Sequence, residues 1–355
     1  MNDDVRLAPY ARADREDVFA FLREIYPAEQ SDRLIRQWDW KYDANPYRHE
    51  AEPYVVVLKQ GPRIVGLFGG FPLRCVVDGR DRWLSHGGDW VIHPDCRDRR
   101  LSRSLWEGHE AHQSLRFSWQ NESSFRKARW RVTIDTARLA PLVKPIDLAH
   151  VLQKLTGRRG IGEIAGALAH ALASLRPERE AAPGITIARV DAFDERFDRL
   201  WQRSRGDYPV MIVRDRRYLS WRFLGRPDAV YTMLAATRGE DLLGYLVVRS
   251  TDRLGERWGY LVDFLVRDRS PQVFAMLVEH GIECLRGEGV KAISCRVVVP
   301  PYRRSLYRLG FLPLRWGPRG YLSAYVPASD PQYLAYRAVR QWFVTMGDGD
   351  LEFDV

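Results

Sequence analysis

A basic loop between two apolar segments makes the stretch from Gly87 to Leu105 the part of the chain best suited to bind an anion. Trp90, Val91 and Ile92 predict a strand, a proline predicts a turn after it, and leucines beyond the loop recur at helical spacing. The loop and the first helical turn carry four arginines, Arg97, Arg99, Arg100 and Arg103. The free N–H groups at a helix N-terminus bind anions, and arginines add charge-assisted hydrogen bonds. The stretch therefore predicts a phosphate or pyrophosphate site.

Three titratable side chains lie in or beside the same predicted strand. Asp89 precedes Trp90, so strand alternation places its carboxylate on the opposite face, where it could accept a proton as a general base. His86 and His93 flank the strand and titrate near neutral pH, so either could relay that proton. The structural alternatives are a carboxylate that completes a hydrogen-bond network and histidines that stabilise a turn. The catalytic candidates are Asp89, His86 and His93.

The loop motif resembles the pyrophosphate loop of the GCN5-related N-acetyltransferases (GNAT), whose pattern is V-x-P-x-x-(R/Q)-x-x-G-x-(G/A). Ile92, Pro94 and Arg97 match this pattern, while Arg100 and Ser102 stand where the family has two small residues. Glycine lets the backbone approach a diphosphate closely, so an arginine at that place either turns outward or narrows the site. The resemblance implies acyl-CoA, and most simply acetyl-CoA, as the acyl donor.

Carried over residue by residue, the resemblance implies where the donor lies. The pantetheine would follow the strand, the loop would receive the diphosphate, and Asn121 would lie beside the cofactor. In the family a tyrosine protonates the departing thiolate, but that position falls here on Phe125, which has no proton to give. The implied cofactor-binding residues are Trp90, Val91, Ile92, Arg97, Arg99, Arg100, Leu101, Ser102, Arg103 and Asn121.

One module occurs twice along the chain. The segment WKY at 40–42 recurs as WRF at 221–223, and GGDWVI, which holds Asp89, recurs as YLVDFLV, which holds Asp263. Several such matches keep their order at a nearly constant offset, which indicates an internal repeat. The sequence therefore predicts an N-terminal domain at 1–155, a linker and packing helix at 156–184, and a C-terminal domain at 185–355.

The apolar patterns in each module follow the element order of the acetyltransferase fold. The predicted fold class is α/β (α+β), with two tandem GNAT-like domains, each a mixed, mostly antiparallel sheet flanked by helices. In the second module Leu306 occupies the tyrosine position, with Tyr307 beside it, and the loop after Val266 lacks the phosphate pattern. The second half is therefore expected to hold a lost or never-used cofactor site. The main predicted helices are 14–25, 164–175, 193–203 and 271–286, and a strand at 132–135 would end the first module.

Substrate contacts are expected in a cleft between the halves, because domain interfaces commonly form ligand sites. The candidates are Trp40, Asp263 and Tyr307. Trp40 could instead anchor a loop in the core, and the repeat of Asp89 as Asp263 also fits a requirement of the fold.

The C-terminal segment begins as a predicted strand and then alternates Asp348, Asp350, Glu352 and Asp354 with other residues. These carboxylates could bind a cationic amine or a divalent ion, or form an acidic edge.

No metal site is predicted. His109 and His112 lie about one turn apart on a predicted helix, close to metal-ligand spacing, but the sequence offers no evident third ligand. The four cysteines are Cys75, Cys96, Cys284 and Cys295. They lack CxxC spacing, so neither a disulfide framework nor a zinc site is expected.

Composition narrows the remaining classes. Apolar residues form 45% of the 355-residue chain, which argues against disorder. No segment approaches the roughly 20 apolar residues of a membrane span, and the acidic start differs from a signal peptide, so a cytoplasmic location is expected. The net charge of +9 and the pI of about 9.5 come without a nucleic-acid-binding motif.

These features predict acyl-CoA-dependent N-acyl transfer, with acetyl-CoA as donor. The acceptor would be a primary amine of a small molecule, or of an envelope or natural-product precursor. Two alternatives stay open. One is a non-catalytic, ligand-binding or regulatory GNAT-like protein. The other is a transferase of this fold that uses aminoacyl-tRNA, for which salt-sensitive tRNA binding would be diagnostic.

Overall fold

The computed structural model describes residues 5–48, 54–97, 99–111, 115–120, 125–126, 137–139, 141–147, 183–253, 255–313, 320–327, 329–337 and 342–349. The strands are β1 (Val5–Pro9), β2 (Val55–Gln60), β3 (Arg63–Val77), β4 (Arg80–Ile92), β5 (Arg116–Gln120), β6 (Ala137–Leu139), β7 (Leu142–Pro145), β8 (Thr186–Val190), β9 (Val210–Ile212), β10 (Thr232–Arg238), β11 (Asp241–Arg253), β12 (Glu256–Val266), β13 (Ala292–Cys295), β14 (Leu312–Pro313) and β15 (Gly320–Tyr325). The helices are α1 (Arg15–Ile25), α2 (Ala28–Trp38), α3 (Arg99–Glu110), α4 (Glu195–Ser204), α5 (Arg216–Leu219), α6 (Pro271–Gly287), α7 (Pro300–Arg308) and α8 (Tyr333–Arg337). Two π-helical turns, Asp39–Asp43 and Ser220–Leu224, follow α2 and α5.

The strands form two mixed sheets. The first has the order β1-β2-β3-β4-β5-β15-β6, with β9 paired to β3, and the second has the order β14-β7-β13-β12-β11-β10-β8. Within the described residues only β4–β5 and β12–β13 are parallel pairs, and the other pairs are antiparallel. The predicted fold class, two mostly antiparallel mixed sheets flanked by helices, is confirmed.

Each half of the chain contributes to the sheet of the other half: the first half contributes β7, and the second half contributes β9 and β15. β7, from the first half, lies between β13 and β14 in the second sheet. β15, from the second half, lies between β5 and β6 in the first sheet. The sequence repeat does not predict this exchange, because a short apolar strand has the same pattern whichever sheet it joins. Each sheet is therefore completed by a strand from the other half.

The turn between β3 and β4 fixes the register of the strand pair that carries the predicted site. Asp78 and Gly79 both have positive φ, 44° and 77°. An Asp-Gly pair with this backbone suits a two-residue hairpin turn, whose twist matches that of the flanking strands. Val77 pairs with Arg80 across the turn, and the ladder runs from there to Gly66 opposite Ile92.

The two faces of the first sheet are covered by different helices. On one face, Leu105 and Trp106 of α3 pack with Val56, Val65 and Phe68. On the other face, α1 joins the large core that continues into the second half. Because full burial of such a side chain is worth about 1.5–3 kcal/mol, both faces are strongly specified.

Some local expectations fail and others lie outside the described residues. α2 was not predicted, because its sequence AEQSDRLIRQW holds few apolar residues to mark it. The strand expected at the start of the C-terminal segment is wrong: Phe343 makes one isolated bridge to Met211, and the chain turns into a 3-10 helix at Met346–Asp348. The strand expected at 132–135 and the helix expected at 164–175 lie outside the described residues.

In the described part of the chain, no helix is both long and apolar enough to cross a membrane.

All four cysteines are free thiols, and burial raises the pKa of Cys75 and of Cys295 to about 12. Those two thiols are therefore neutral structural groups at ordinary pH.

Candidate active site

The predicted anion-binding stretch lies where two parallel strands separate. β4 and β5 pair only through Ser85 with Arg116 and His86 with Phe117. β4 then continues to Ile92 without pairing with the described residues of β5. A wedge-shaped gap, the first splay, therefore opens between the two strands. In the second sheet β12 and β13 separate in the same way after Leu261, and this gap is the second splay.

A bulge in β4 marks the mouth of the first splay. Phe68 pairs with Trp90 and Gly70 with Gly87, so that Gly88 and Asp89 both lie opposite one residue of β3. The second sheet repeats this bulge, with Val247 paired to Asp263 and Val248 paired to Leu261. The strand registers thus make five pairs of positions equivalent: Gly69 and Val247, Gly70 and Val248, Gly87 and Leu261, Gly88 and Val262, Asp89 and Asp263.

Four glycines surround the first bulge where the second has bulky aliphatic residues. A Cβ added to Gly87 or Gly88 would meet no atom closer than 3.7 Å, apart from those of its chain neighbours. Leu261 and Val262 fill the equivalent positions and are 1% and 0% exposed. The backbone of β4 is therefore accessible from the splay, and its N–H groups can reach a ligand carbonyl there.

The second splay is filled by the chain's own aromatic side chains. Phe264, which is equivalent to Trp90, packs with its ring centroid 4.9 Å from that of Tyr302 and 5.4 Å from that of Phe343. All three side chains are at most 1% exposed. A ligand as large as pantetheine would have to displace them.

Asp89 projects into the first site from the face opposite to Trp90. It accepts a 2.7 Å hydrogen bond from the Tyr42 hydroxyl, and the Lys41 ammonium lies 3.5 Å away. Trp90 instead packs against Phe68 and Trp106 on the face covered by α3. The Asp89 side chain keeps about a fifth of its surface exposed, at 20%, so it remains reachable by a ligand.

The sequence did not single out Tyr42 or Tyr26, which also shape this site. Tyr42 can reach Asp89 because position 69 is glycine: a Cβ there would lie 2.2 Å from the Tyr42 hydroxyl. Burial raises the pKa of the Tyr26 phenol, and the nearby Asp89 carboxylate raises it further, against an opposing effect from Arg97. The π-helical turn and the end of α1 thus bring two phenols toward the carboxylate.

The two histidines that flank the strand are buried in different surroundings. His86 stacks on Phe71, with ring centroids 4.7 Å apart, and contacts Phe117 edge-on at 4.9 Å. His93 lies beside Arg63 and Glu24, and its Nδ1 accepts a hydrogen bond from the backbone N–H of Asp95. The structure therefore brings His86 to the closed end of the splay and gives His93 a turn-capping position.

The basic loop leads directly into α3, as predicted. Arg97 and Arg100 are exposed, whereas Arg103 forms an ion pair with Glu107 one turn further along the helix. Leu101 packs on the cluster under α3, and Ser102 is partly exposed. Asn121 and the side chain of Arg99 lie outside the described residues, as does His112.

The repeated tryptophans meet at a pseudo-twofold contact between the halves. The rings of Trp40 and Trp221 stack with centroids 4.9 Å apart. Each indole N–H donates to the backbone carbonyl of the other, at 2.9 Å and 3.0 Å. Trp40 is 4% exposed, so the structure places it in the core.

Asp263 and Tyr307 lie apart from the first splay. Asp263 is buried and accepts hydrogen bonds from Arg214, Tyr245 and Thr345. Arg214 also pairs with Asp348, so this carboxylate of the C-terminal segment is a buried structural group. Tyr307 is 41% exposed on α7.

The C-terminal segment reaches from that buried network to the first splay. A Cβ on Gly349 would lie 2.6 Å from Cδ1 of Trp119 and 2.9 Å from Nε2 of His86. Arg222 holds the same segment through the carbonyls of Gly347 and Gly349. Within the described residues, no cluster of three or more His, Cys, Asp or Glu side chains could hold a metal ion.

Comparisons with known proteins support the assignment of the fold. No protein-family model matches the sequence, and no curated protein matches it significantly. Among solved structures, Saccharomyces cerevisiae N-myristoyltransferase with bound myristoyl-CoA is 11% identical, with a TM-score of 0.54, over 91% of this chain and 83% of that one. A GCN5-related N-acetyltransferase from Anabaena variabilis is 10% identical, with a TM-score of 0.58, over 90% and 72%. One from Kribbella flavida is 12% identical, with a TM-score of 0.56, over 91% and 71%. The chain thus has the fold of the GNAT superfamily.

Proposed function

We propose that this protein is an acyl-CoA-dependent N-acyltransferase whose first splay transfers an acyl group, most simply acetyl, to a primary amine. The observation that carries the proposal is the set of four glycines around the first bulge, where the second half has valines and a leucine. The exposed Arg97, in the loop before α3, and the exposed Arg100, in the first turn of α3, would hold the diphosphate. The similar structures include proteins described as N-acyltransferases, one of them with bound myristoyl-CoA, which agrees with this proposal.

The residues at the bulge supply the groups that aminolysis of a thioester needs. The amine nitrogen forms a bond to the carbonyl carbon, the carbon–sulfur bond breaks, and the nitrogen loses a proton. Asp89, oriented by Tyr42 and reachable from the splay, would accept that proton. The backbone N–H groups of β4 at Gly88 and Asp89 would stabilise the negative charge that develops on the carbonyl oxygen. The Lys41 ammonium, 3.5 Å from the Asp89 carboxylate, places a positive charge beside it.

Acyl-CoA binding tests the proposed site directly. Calorimetric titration of the wild-type protein with acetyl-CoA is expected to show micromolar affinity. Arg100→Glu should weaken it about tenfold or more, because an exposed cation at the diphosphate becomes an anion. Arg238→Glu is the matched control and should keep the wild-type affinity. Arg238 is exposed at the end of β10, and its substitution changes the net charge by the same amount as Arg100→Glu. Absence of binding to acetyl-CoA, longer acyl-CoAs and CoA would refute the proposal.

The assignment of Asp89 predicts a loss of rate with little loss of binding. Asp89→Asn should keep the Tyr42 hydrogen bond in part but lower kcat by about 100-fold, because the amide cannot accept the proton of the amine. The loss should shrink for hydroxylamine, which is largely neutral at pH 7 and needs less help from a base. Equal losses for hydroxylamine and for an alkylamine would argue against Asp89 as the base.

A further inference from the structure

The proposed reaction leaves a thiolate, which must gain a proton to become the free thiol. A thiolate leaves more readily when a neighbouring group donates a proton to the sulfur. Phe125 occupies the position where the family resemblance implies a tyrosine, and a phenyl ring has no proton to give. The inference that follows rests on the proposed function and concerns which residue replaces that tyrosine.

The exchanged strand β15 places a phenol directly on Phe125. The rings of Phe125 and Tyr321 stack with centroids 4.3 Å apart and an interplanar angle of 3°. Tyr321 is paired with Gln120, the last residue of β5, so it lies level with the open end of the first splay, on the side of β5 away from β4. The second half of the chain thus places a titratable side chain beside the site of the first.

Strand alternation shows which face of the sheet Tyr321 occupies. Tyr321, Ser323 and Tyr325 lie opposite Gln120, Ser118 and Arg116 and share their face. The guanidinium of Arg116 stacks on Trp106 of α3, at 4.3 Å from the ring centroid, and Trp106 packs against Trp90. This is the face of α3, the helix whose first turn carries Arg100, one of the two arginines proposed to bind the diphosphate.

Tyr321 and Tyr325, the two phenols on this face, differ in their positions along the splay and in their neighbours. Tyr325 lies opposite Arg116, at the closed end of the splay, with the Arg116 guanidinium 5.2 Å from its ring centroid. Gln120, next to Tyr321, has a buried side-chain oxygen without a hydrogen-bond partner among the described residues. A ligand N–H in the splay would satisfy that oxygen. Level with the open end of the splay, the Tyr321 phenol therefore lies next to Gln120, whose side-chain oxygen can accept a hydrogen bond from a ligand.

We propose that Tyr321 is the general acid of the first site, supplied by strand exchange in place of the tyrosine missing at position 125. Its O–H bond breaks as the sulfur of the leaving group gains the proton, which releases the free thiol. The phenolate then regains a proton from water, while the proton lost by the amine goes to Asp89. The products are one amide and one thiol, and no oxidant or reductant is required.

Three variants test this assignment with acetyl-CoA and hydroxylamine as probes, and with free CoA measured by chromatography. Tyr321→Phe keeps the aromatic stack and should lower kcat by about tenfold to 100-fold, with KM for acetyl-CoA within about twofold. Tyr325→Phe is the matched control on the same strand and face, and should keep the wild-type kcat. Phe125→Tyr in the Tyr321→Phe background returns a hydroxyl to the same stack and should recover much of the loss.

The outcomes distinguish a failure of the Tyr321 assignment from a failure of the proposed acyltransferase function. A wild-type kcat in Tyr321→Phe, or an equal loss in Tyr325→Phe, would overturn the assignment of Tyr321 while acyl transfer stands. A rise in KM with unchanged kcat would overturn it too, because it would indicate only a packing role. A wild-type protein that neither binds acetyl-CoA nor releases CoA would remove the proposed function and this assignment together.

Discussion

Replacing Gly88 by valine is expected to weaken acetyl-CoA binding about tenfold to 100-fold and to abolish measurable turnover. The substitution copies Val262, the residue at the equivalent position of the second sheet. A side chain at position 88 would project from the exposed backbone of β4 and narrow the splay in which the pantetheine should lie. Forcing extra methyl groups into an occupied space costs about 1–3 kcal/mol, and about 1.4 kcal/mol corresponds to a tenfold change in affinity.

The fold should tolerate this change, which makes the measurement specific. A Cβ at position 88 would lie 3.7 Å from the carbonyl oxygen of Gly69, an ordinary contact distance. Valine also favours extended backbone more than glycine does. Calorimetry with acetyl-CoA and thermal unfolding should therefore show lost binding with an unchanged or slightly higher Tm. Gly206→Val, at a site with no neighbouring atom within 4 Å of its Cβ, is the control that should keep binding.

Wild-type affinity in the Gly88 variant would place the donor somewhere other than the first splay. The reverse change, Val262→Gly, sharpens the comparison between the halves. It should not create a second binding site, because Phe343 and Tyr302 still fill the second splay. A stoichiometry of two in that variant would contradict the view that aromatic packing closes the second half.

Much of the fold follows from local sequence signals, and the site follows in part. The apolar patterns predict α1, α6 and the long strands, and the repeated words place Asp89 and Asp263 at equivalent bulges. The glycines around the first bulge were also visible: GLFGG from Gly66 aligns with GYLVV from Gly244. Their meaning depends on strand register, because a glycine pair predicts an open backbone only once its partners across the sheet are known.

The rest depends on contacts between distant segments that no local pattern records. Tyr321 reaches Phe125 only because β15 crosses into the first sheet. Asp348, expected in an exposed or ligand-binding acidic tail, is instead buried against Arg214. The sequence does not indicate which of several carboxylates in a tail will pair with a distant arginine. Tertiary contacts, not propensity, decided both positions.

Replacing Arg214 by methionine is expected to cost about 3–5 kcal/mol of unfolding free energy at pH 8, measured by urea denaturation. The Arg214 guanidinium is fully buried and donates to Asp263, at 3.0 Å and 3.1 Å, and to Asp348, at 2.6 Å. Without it, two buried carboxylates would lose the cation that they share. Arg203→Met is the matched control: Arg203 makes a half-exposed ion pair with Asp241, so the variant should lose less than about 1 kcal/mol.

The same variant should show a distinctive pH dependence. Burial raises the pKa of Asp348, and Arg214 opposes that rise, so removing the arginine should raise the pKa further. A carboxyl group with a raised pKa in the folded state favours folding below its unfolded pKa, and this stabilisation is lost as pH rises through the folded pKa. The deficit of Arg214→Met should therefore shrink between pH 8 and pH 5, and Asp348→Asn in the same chain should reduce it at pH 8. A deficit that is independent of pH and unaffected by Asp348→Asn would mean that shape, and not charge, makes Arg214 necessary.

Arg214→Met should also lower turnover at the first splay, because the segment that Arg214 holds continues to Gly349 beside His86 and Trp119.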